Sequence, residues 1–290
     1  MNGIHETKIH GKRSFPFTVY RGAMPEYLRT YPLHWHDEME LIPVTSGQGI
    51  ITVQQQRLIV RAGDILLIPP QMVHSMEQLD DHAMEYYNIL FRFSLLENDP
   101  LDSCYEKYLK PIYDGTRTLP VLVPSDDPLN KALLPHVADL ILHRKEYRED
   151  SELLIKSHLF AIMHHLSRSS TPTSNAQHAI QTTYDKLKQA LAQIHSHYMD
   201  EISVEQAASL CGFSASHFMK LFRQLTGSSF TQYLKQFRLE QAAGQLLQTE
   251  EKISNVAHST GFQNLSYFTR AFTAQYGCSP AAYRKLRGRT

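Results

Sequence analysis

The sequence has few cysteines, no long apolar run and no excess of charge of one sign. Its three cysteines, Cys104, Cys211 and Cys278, include no CxxC pair, so we expect neither a disulfide framework nor a zinc knuckle. No stretch approaches the roughly 18–20 consecutive apolar residues that a membrane span requires. The N-terminal residues MNGIHETKIHGKR also lack the apolar core of a secretory signal. These absences predict a cytoplasmic protein without a membrane partner.

Composition and charge favour two domains of different character. The 290 residues are 42% hydrophobic, which is enough for one large core or two ordinary ones. Residues 1–178 contain 17 Lys and Arg against 22 Asp and Glu, whereas residues 179–290 contain 12 against 7. A basic C-terminal part is typical of proteins that bind nucleic acid.

The apolar pattern changes along the chain. Short apolar or alternating runs between Phe17 and Phe93, separated by Gly, Pro and polar turns, predict an antiparallel β-barrel or sandwich. From Pro128 to Ser169 apolar residues recur at helical spacing, which predicts two amphipathic helices that dimerise or couple domains. The segment Ser169–Gln177 is rich in Ser, Thr and Pro and has no apolar residue larger than alanine. This composition predicts a linker.

The C-terminal part contains an internal repeat of about 49–50 residues. In each unit an apolar residue, an Ala and a Gly follow one another at intervals of four, which predicts a short helix, a tight turn and a longer second helix. The repeat pairs Val204, Ala208, Gly212, Phe213, Phe218, Lys220, Phe222 and Gly227 with Ile253, Ala257, Gly261, Phe262, Phe268, Arg270, Phe272 and Gly277. Both units are therefore predicted to be helix-turn-helix motifs, joined by a helix over Phe230–Gln248.

The second helix of each unit has a polar face. Ser214 is a good N-cap for the first of these helices. Because residues are about 100° apart on a helix, burial of the Phe residues exposes the opposite face. The exposed set in the first unit is Ser216, Lys220 and Arg223, flanked by Met219, and in the second unit it is Ser266, Thr269, Arg270 and Thr273, with Asn264 at the helix tip. Such side chains can contact base edges or phosphates in the major groove.

The stretch ISNVAHSTGFQNLSYFTRAFTAQYGCSPAAYRK resembles the C-terminal signature of the AraC/XylS family of transcription regulators, and the resemblance covers residues 180–287. It rests on Ile253, Val256, Ala257, Gly261, Phe262, Tyr267, Phe268, Arg270, Phe272, Gly277, Ser279, Pro280, Tyr283 and Arg284. The resemblance implies double-stranded DNA, a small-molecule effector, a second copy of the chain and RNA polymerase as partners. It also implies base-reading roles for Ser216, Met219, Lys220, Asn264, Leu265, Ser266, Thr269 and Arg270. Gln245 departs from the family, which usually has an apolar residue at this place in the connecting helix.

The N-terminal histidines resemble both motifs of the cupin barrel. His34, His36 and Glu40 form H-x-H-x3-E, and His74 ends a second motif in which Gln71 stands in place of glycine. In a metal-binding cupin these four residues would bind a divalent first-row metal. Three interpretations of the cluster stay open: a working metal site, the polar lining of an effector pocket, and inward-facing residues that are satisfied by hydrogen bonds. Trp35 is expected to point the opposite way and to pack.

We therefore predict an α+β fold with a cupin-like, ligand-sensing barrel over residues 1–98, a helical connector over 99–169 and a linker over 170–178. An all-α domain with two helix-turn-helix units follows over 179–290. The predicted function is sequence-specific DNA binding and transcription regulation under the control of a small-molecule effector, without enzyme activity. The resemblance to the family implies a carbohydrate as the class of effector. Two alternatives remain: a metal-dependent cupin enzyme fused to a DNA-binding module, and a barrel that only dimerises.

Overall fold

The computed structural model describes residues 5–287 except 7, 9, 28, 55, 98, 100, 101 and 143–150. The chain divides into two compact units, Ile4–His178 and Ala179–Thr290. Among the described residues, none of the helices combines the length and hydropathy of a transmembrane segment.

The first unit is built around a β-barrel, as the apolar pattern predicts. Its strands are β1 Phe17–Met24, β2 Thr30–His34, β3 Met39–Val53, β4 Gln56–Arg61, β5 Ile65–Ile68, β6 His74–Gln78, β7 Met84–Phe91, β8 Arg117–Thr118, β9 Leu122–Val123 and β10 Thr171–Pro172. One face of the barrel has the strand order β1-β7-β3-β5-β9. In the other face β3 pairs with β4 on one side and with β6 on the other, and β6 pairs in turn with β2. The long strand β3 thus belongs to both faces and joins them.

Alternation along the strands separates two cores. Glu40, Ile42 and Val44 point into the barrel, where Ile42 and Val44 meet apolar side chains from the opposite face. Met39 and Leu41 point the other way, into a core outside the sheet. Strands that are buried on both faces contain nearly continuous apolar runs, which explains why the sequence alternates weakly here.

The outer core is filled by the helices α1 Lys110–Tyr113, α2 Pro128–Leu142 and α3 Ser151–Ser169. Val137 of α2 and Leu159 of α3 are buried in one cluster with Met39 and Leu41 of the sheet. The two amphipathic helices are therefore confirmed, but the structure corrects the idea of a separate connector over 99–169. The helices cover one face of the sheet and belong to the same compact unit.

The structure also differs from the expected linker over 170–178. Strand β10 pairs with β8, and the hydroxyl of Thr173 donates a hydrogen bond of 2.6 Å to the carbonyl of Gly115. Arg117 donates to the hydroxyl of Ser170 at 2.7 Å, and the next helix already begins at Asn175. Polar residues that cannot build a core are held here by backbone and hydroxyl hydrogen bonds, which composition does not reveal.

The second unit is helical. Its helices are α4 Asn175–Ser196, α5 Val204–Leu210, α6 Ala215–Thr226, α7 Phe230–Gln248, α8 Ile253–Ser259, α9 Leu265–Tyr276 and α10 Pro280–Arg287. The turns after α5 and α8 place Gly212 at φ +66° and Gly261 at φ +84°, a conformation that favours glycine. The two predicted helix-turn-helix units, α5–α6 and α8–α9, are therefore present, and α7 joins them over the predicted residues.

Two arginines donate hydrogen bonds to the segments that precede the two helix-turn-helix motifs. Arg238 of α7 donates to the carbonyls of Tyr198 and Asp200, both at 2.7 Å. Arg284 of α10 contacts the end of α7 in the same way, through the carbonyl of Leu246 at 3.2 Å. The unusual Gln245 has a partner as well, because its side-chain oxygen accepts a hydrogen bond of 2.9 Å from Ser259 of α8. Gln245 thus connects α7 to α8, the first helix of the second helix-turn-helix motif.

Candidate functional site

Four predicted residues converge inside the barrel. His34 ends β2 and lies opposite His74, the first residue of β6, whereas Glu40 lies near the start of β3 and His36 lies in the loop before it. All four side chains are buried. The rings of His34 and His74 are 4.1 Å apart between centroids, and those of His36 and His74 are 5.1 Å apart. The strand pairing thus brings together residues that are up to 40 positions apart.

Backbone carbonyls orient the three imidazoles. His34, His36 and His74 donate from Nδ1 to the carbonyls of Pro32, Glu38 and Met72 at 2.9, 3.1 and 2.8 Å. Each imidazole therefore directs Nε2 toward the barrel interior. The Glu40 carboxylate lies 3.2 Å from Nε2 of His36 and 3.1 Å from Nε2 of His74.

Burial and neighbouring charges give these groups different protonation states. Burial, with the charge of His74, lowers the pKa of His34 to about 3, so this ring is neutral near pH 7. Burial opposes ionisation of Glu40, but hydrogen bonds from His36 and His74 outweigh it and hold the pKa well below its usual range. Burial likewise opposes protonation of His36, whose pKa is nevertheless raised by the hydrogen bond to Glu40.

The donor set suits a divalent metal ion. One ligand nitrogen from each of His34, His36 and His74 lies within 4.8 Å of the others, and the carboxylate of Glu40 adjoins them. Histidine ligands of metals commonly donate the second ring N–H to a carbonyl, as all three rings do here. Three imidazoles and a carboxylate are ligands that first-row divalent ions accept.

A cavity of about 220 Å³ adjoins the cluster. Its polar lining includes residues that the motifs did not indicate: Glu6, Lys8, His10, Tyr20, Arg21, Tyr27, Tyr31, Tyr86 and Asn88. Burial raises the pKa of Tyr86 to about 12, so its phenol stays protonated. Asn88 lies on β7 directly before the apolar residues Ile89–Phe91, so a polar residue beside an apolar run was the available signal. Nothing in the local pattern connects Glu6 or His10 with this site.

Gln71 and Trp35 lie close to the cluster residues in the sequence. Gln71, which stands in place of glycine, has φ +66° and donates to the carboxylate of Asp37 at 2.6 Å. The loop thus adopts the glycine-like conformation, and His74 reaches the cluster. Trp35 is buried and stacks on His5, with ring centroids 5.4 Å apart, as expected for a packing residue.

The second candidate site is the polar faces of α6 and α9. Phe218 and Phe222 of α6, like Phe268 and Phe272 of α9, are fully buried. The side chains opposite them are exposed, except for the partly buried Thr269: Ser216, Met219, Lys220, Arg223, Asn264, Leu265, Ser266 and Arg270. The turn residues before both helices act as caps, since Ser214 accepts the N–H of His217 at 3.3 Å and Asn264 accepts that of Tyr267 at 2.9 Å. The amide nitrogen of Asn264 is not used by this cap.

The barrel with its cavity and the repeated helix-turn-helix units define a class of protein: a DNA-binding transcription regulator with a ligand-binding domain. The family model "AraC-like ligand binding domain" matches residues 18–163, and the model "Helix-turn-helix domain" matches residues 207–286. The chain belongs to the AraC family of transcription regulators.

Individual relatives cover nearly the whole chain. The HTH-type transcriptional regulator YdeC of Bacillus subtilis is 22% identical over 98% of this chain and 96% of its own length. The HTH-type transcriptional activator RhaR of Mannheimia succiniciproducens is 24% identical over 93% of this chain and 91% of its own. Among solved structures, ToxT from Vibrio cholerae is 15% identical, with a TM-score of 0.41, over 93% of this chain and 98% of that one.

Proposed function

We propose that this regulator senses a small polar molecule of the carbohydrate class in the barrel cavity and changes its binding to double-stranded DNA in response. The observation that carries the proposal is a buried polar atom at the cavity. Within the described residues, Oδ1 of Asn88 has no hydrogen-bond partner, whereas Nε2 of His10 lies 3.5 Å from a carboxylate oxygen of Glu6. Buried polar atoms nearly always have partners, so a hydroxyl-bearing ligand would satisfy Asn88.

The histidine cluster is proposed to hold the effector from the other side of the cavity. His34, His36 and Glu40 line the cavity, and His74 contacts Glu40. A volume of about 220 Å³ lies below the roughly 300–1,000 Å³ of pockets for drug-sized ligands, which favours a small molecule. The effector shifts the chain between two states only as far as its affinities for them differ.

A ligand screen followed by a double variant tests this proposal. Monosaccharides and sugar acids are screened for a rise in the melting temperature of the full chain, because a ligand that binds only the native state stabilises it. Promoter binding is then measured with and without the molecule that raises the melting temperature. The variant His34→Gln with His36→Gln should lose both responses and keep its DNA affinity without effector.

The matched control is His82→Gln with His178→Gln, which removes two exposed histidines elsewhere. It should respond like the unchanged chain. A double cluster variant that is folded and responds in full would contradict the role of the cluster. A screen in which no carbohydrate acts would contradict the proposed effector class.

For DNA, we propose that α6 and α9 enter successive major grooves. The support is that both helices present polar side chains opposite a buried Phe pair. The proposed contacts are Ser216, Met219, Lys220, Arg223, Asn264, Leu265, Ser266, Thr269 and Arg270. Met219 and Leu265 can only make apolar contacts, for example with a thymine methyl group.

A metal-dependent form of the same sensor is the second candidate, and the three Nδ1–carbonyl hydrogen bonds favour it. His34, His36, His74 and Glu40 would hold the ion, which would offer a Lewis-acidic position to an effector hydroxyl. Metal analysis of the purified chain should then find about one ion per chain that the cluster variant loses. We propose sensing rather than catalysis; substrate turnover that requires both the ion and the cluster would instead favour the enzyme alternative.

We also propose that the regulator acts in the cytoplasm as a homodimer that contacts RNA polymerase. Support for the dimer comes from four exposed leucines on α2 and α3, namely Leu134, Leu142, Leu153 and Leu154. Support for the polymerase contact comes from relatives that are described as transcriptional activators. Light scattering of the chain and of the variant Leu134→Gln with Leu153→Gln tests the dimer. A monomeric unchanged chain would contradict it.

A further inference from the structure

A second cluster of histidines lies on α2 and α3, away from the barrel interior. His136 of α2 and His158 of α3 approach with their Nδ1 atoms 3.1 Å apart. His165, two turns after His158, has its ring centroid 6.1 Å from that of His136. His164 lies beside His165, with ring centroids 5.3 Å apart. The rings thus form a row along the two helices, and the role proposed for the barrel does not involve them.

The distance between the two Nδ1 atoms matches two ligands of one metal ion. Zinc–imidazole bonds are about 2.0–2.1 Å long, so two nitrogens on one ion lie roughly 2.9 Å apart at a right angle and 3.4 Å apart at the tetrahedral angle. The observed 3.1 Å lies between these values. Without an ion, the same distance is a hydrogen bond in which one ring donates and the other accepts.

Asp139 favours one arrangement of protons in this pair. Its carboxylate oxygen lies 3.7 Å from Nε2 of His158. A carboxylate on this side favours the proton on Nε2 of His158 and leaves the lone pair on Nδ1, facing His136. Carboxylates play this part behind many metal-bound histidines. Binding an ion then requires only that the proton of His136 moves from Nδ1 to Nε2, so the pair loses no proton.

We propose that His136 and His158 bind a divalent first-row transition ion of the Zn²⁺ type through Nδ1 and so cross-link α2 to α3. Among the described residues His165 is the next imidazole beside the pair, and Asp139 positions His158. The ion would stabilise the packing of α2 and α3 on the sheet. Val137 and Leu159 directly follow His136 and His158 and are buried in the outer core. This site is independent of the function proposed for the barrel.

Zinc titration of the chelator-treated full chain tests the proposal. The unchanged chain should bind one Zn²⁺ more than the variant His136→Gln with His158→Gln, whatever the barrel cluster binds. The control His82→Gln with His178→Gln should bind as many ions as the unchanged chain. Asp139→Asn should weaken this extra site about tenfold without removing it. Zinc should raise the melting temperature of the unchanged chain further than that of the His136/His158 variant.

The alternative is a simple hydrogen bond between two histidines. A folded His136→Gln, His158→Gln variant that binds as many Zn²⁺ ions as the unchanged chain, with the same affinities, would overturn the proposal. If that variant folds poorly, His136→Gln alone is used, since its ring is only partly buried. In the unchanged chain, imidazole nitrogen spectra should show that both Nδ1 resonances shift on zinc addition. Unmoved resonances would also overturn the proposal.

Discussion

At the scale of single residues, neighbours far away in the sequence decide what each side chain does. His34 and His36 share one short motif, yet burial keeps the first neutral, whereas the hydrogen bond to Glu40 outweighs burial and favours protonation of the second. Arg270 and Lys220 occupy equivalent places in the repeat, and both are exposed.

The neutral state of His34 predicts a pH dependence of stability. Its pKa is about 3 in the folded chain and near 6.5 when unfolded, so the unfolded state binds more protons between these values. The free energy of unfolding of the metal-free first unit should therefore fall as the pH falls from about 6.5 to about 5, by at most about 1.4 kcal/mol per pH unit from this group. Denaturant titrations at several pH values should show that the free energy of unfolding of His34→Gln changes less with pH than that of the unchanged unit. Equal changes would mean that His34 is protonated in the folded chain.

The proposed base contacts of α6 and α9 predict that substitutions on these helices weaken DNA binding. Arg270→Ala or Lys220→Ala should reduce affinity for the specific site by roughly 1–3 kcal/mol and relax the preference at one or two base pairs. Lys131→Ala removes an exposed charge from α2 and serves as the control. Gel-shift titrations with single base-pair substitutions measure both effects. Full affinity and unchanged preference in both variants would show that another face meets the groove.

At the scale of elements, the two helix-turn-helix units are not equivalent, although they share a pattern. A Cβ at Gly212 would meet no atom within 4 Å. A Cβ at Gly261 would lie 2.8 Å from Nε of Arg238 and 2.9 Å from the carbonyl of Met199. The turn of the second helix-turn-helix motif thus packs against the arginine that binds the segment after α4. This close approach links the second motif to the segment between α4 and α5.

This difference predicts unequal costs for two alanine substitutions. Gly212→Ala should lower the stability of the helical domain Ala179–Thr290 by about 1–2 kcal/mol, because an L-residue is strained at φ +66°. Gly261→Ala should cost clearly more, since Arg238 must also give up its position. Chemical denaturation of both variants provides the comparison. If Gly261→Ala costs no more than Gly212→Ala, the turn does not depend on the contact with Arg238.

At the scale of the whole molecule, charge is divided between the two units. Residues 179–290 carry 12 basic against 7 acidic side chains, whereas residues 1–178 carry a net excess of acidic ones. DNA binding should therefore reside in the second unit, and attraction to phosphates should supply much of its affinity. The boundary lies within α4, so a fragment that keeps this helix must start at Asn175.

The fragment Asn175–Thr290 is predicted to bind promoter DNA with a steep dependence on salt. If it neutralises about five phosphates, the slope of log K against log salt concentration should be roughly −4 to −5. Removing Lys220, Arg223 and Arg270 together should make the slope less steep by up to about three units. Fluorescence anisotropy at several salt concentrations measures the slope. A folded fragment whose binding ignores salt would contradict the role of this unit.

The sequence by itself determined the features that depend on local order. Helical periodicity predicted which faces of α6 and α9 are exposed, because neighbours on a helix are three or four residues apart. The repeat predicted two turns closed by Gly212 and Gly261, and the H-x-H-x3-E spacing indicated that His34, His36 and Glu40 act together. These patterns were also sufficient for the class of protein and its family.

Only the tertiary structure decided which distant segments meet. Strand pairing brings His74 to His34, and the fold places Asn88 of β7 and Glu6 of the segment before β1 at the same cavity, although no local pattern connects them. The packing of α2 and α3 on the sheet, and the pairing of β10 with β8, turned an expected connector and linker into parts of one unit. Such contacts depend on strand register and on surfaces that form only when the chain folds, so composition and periodicity cannot specify them.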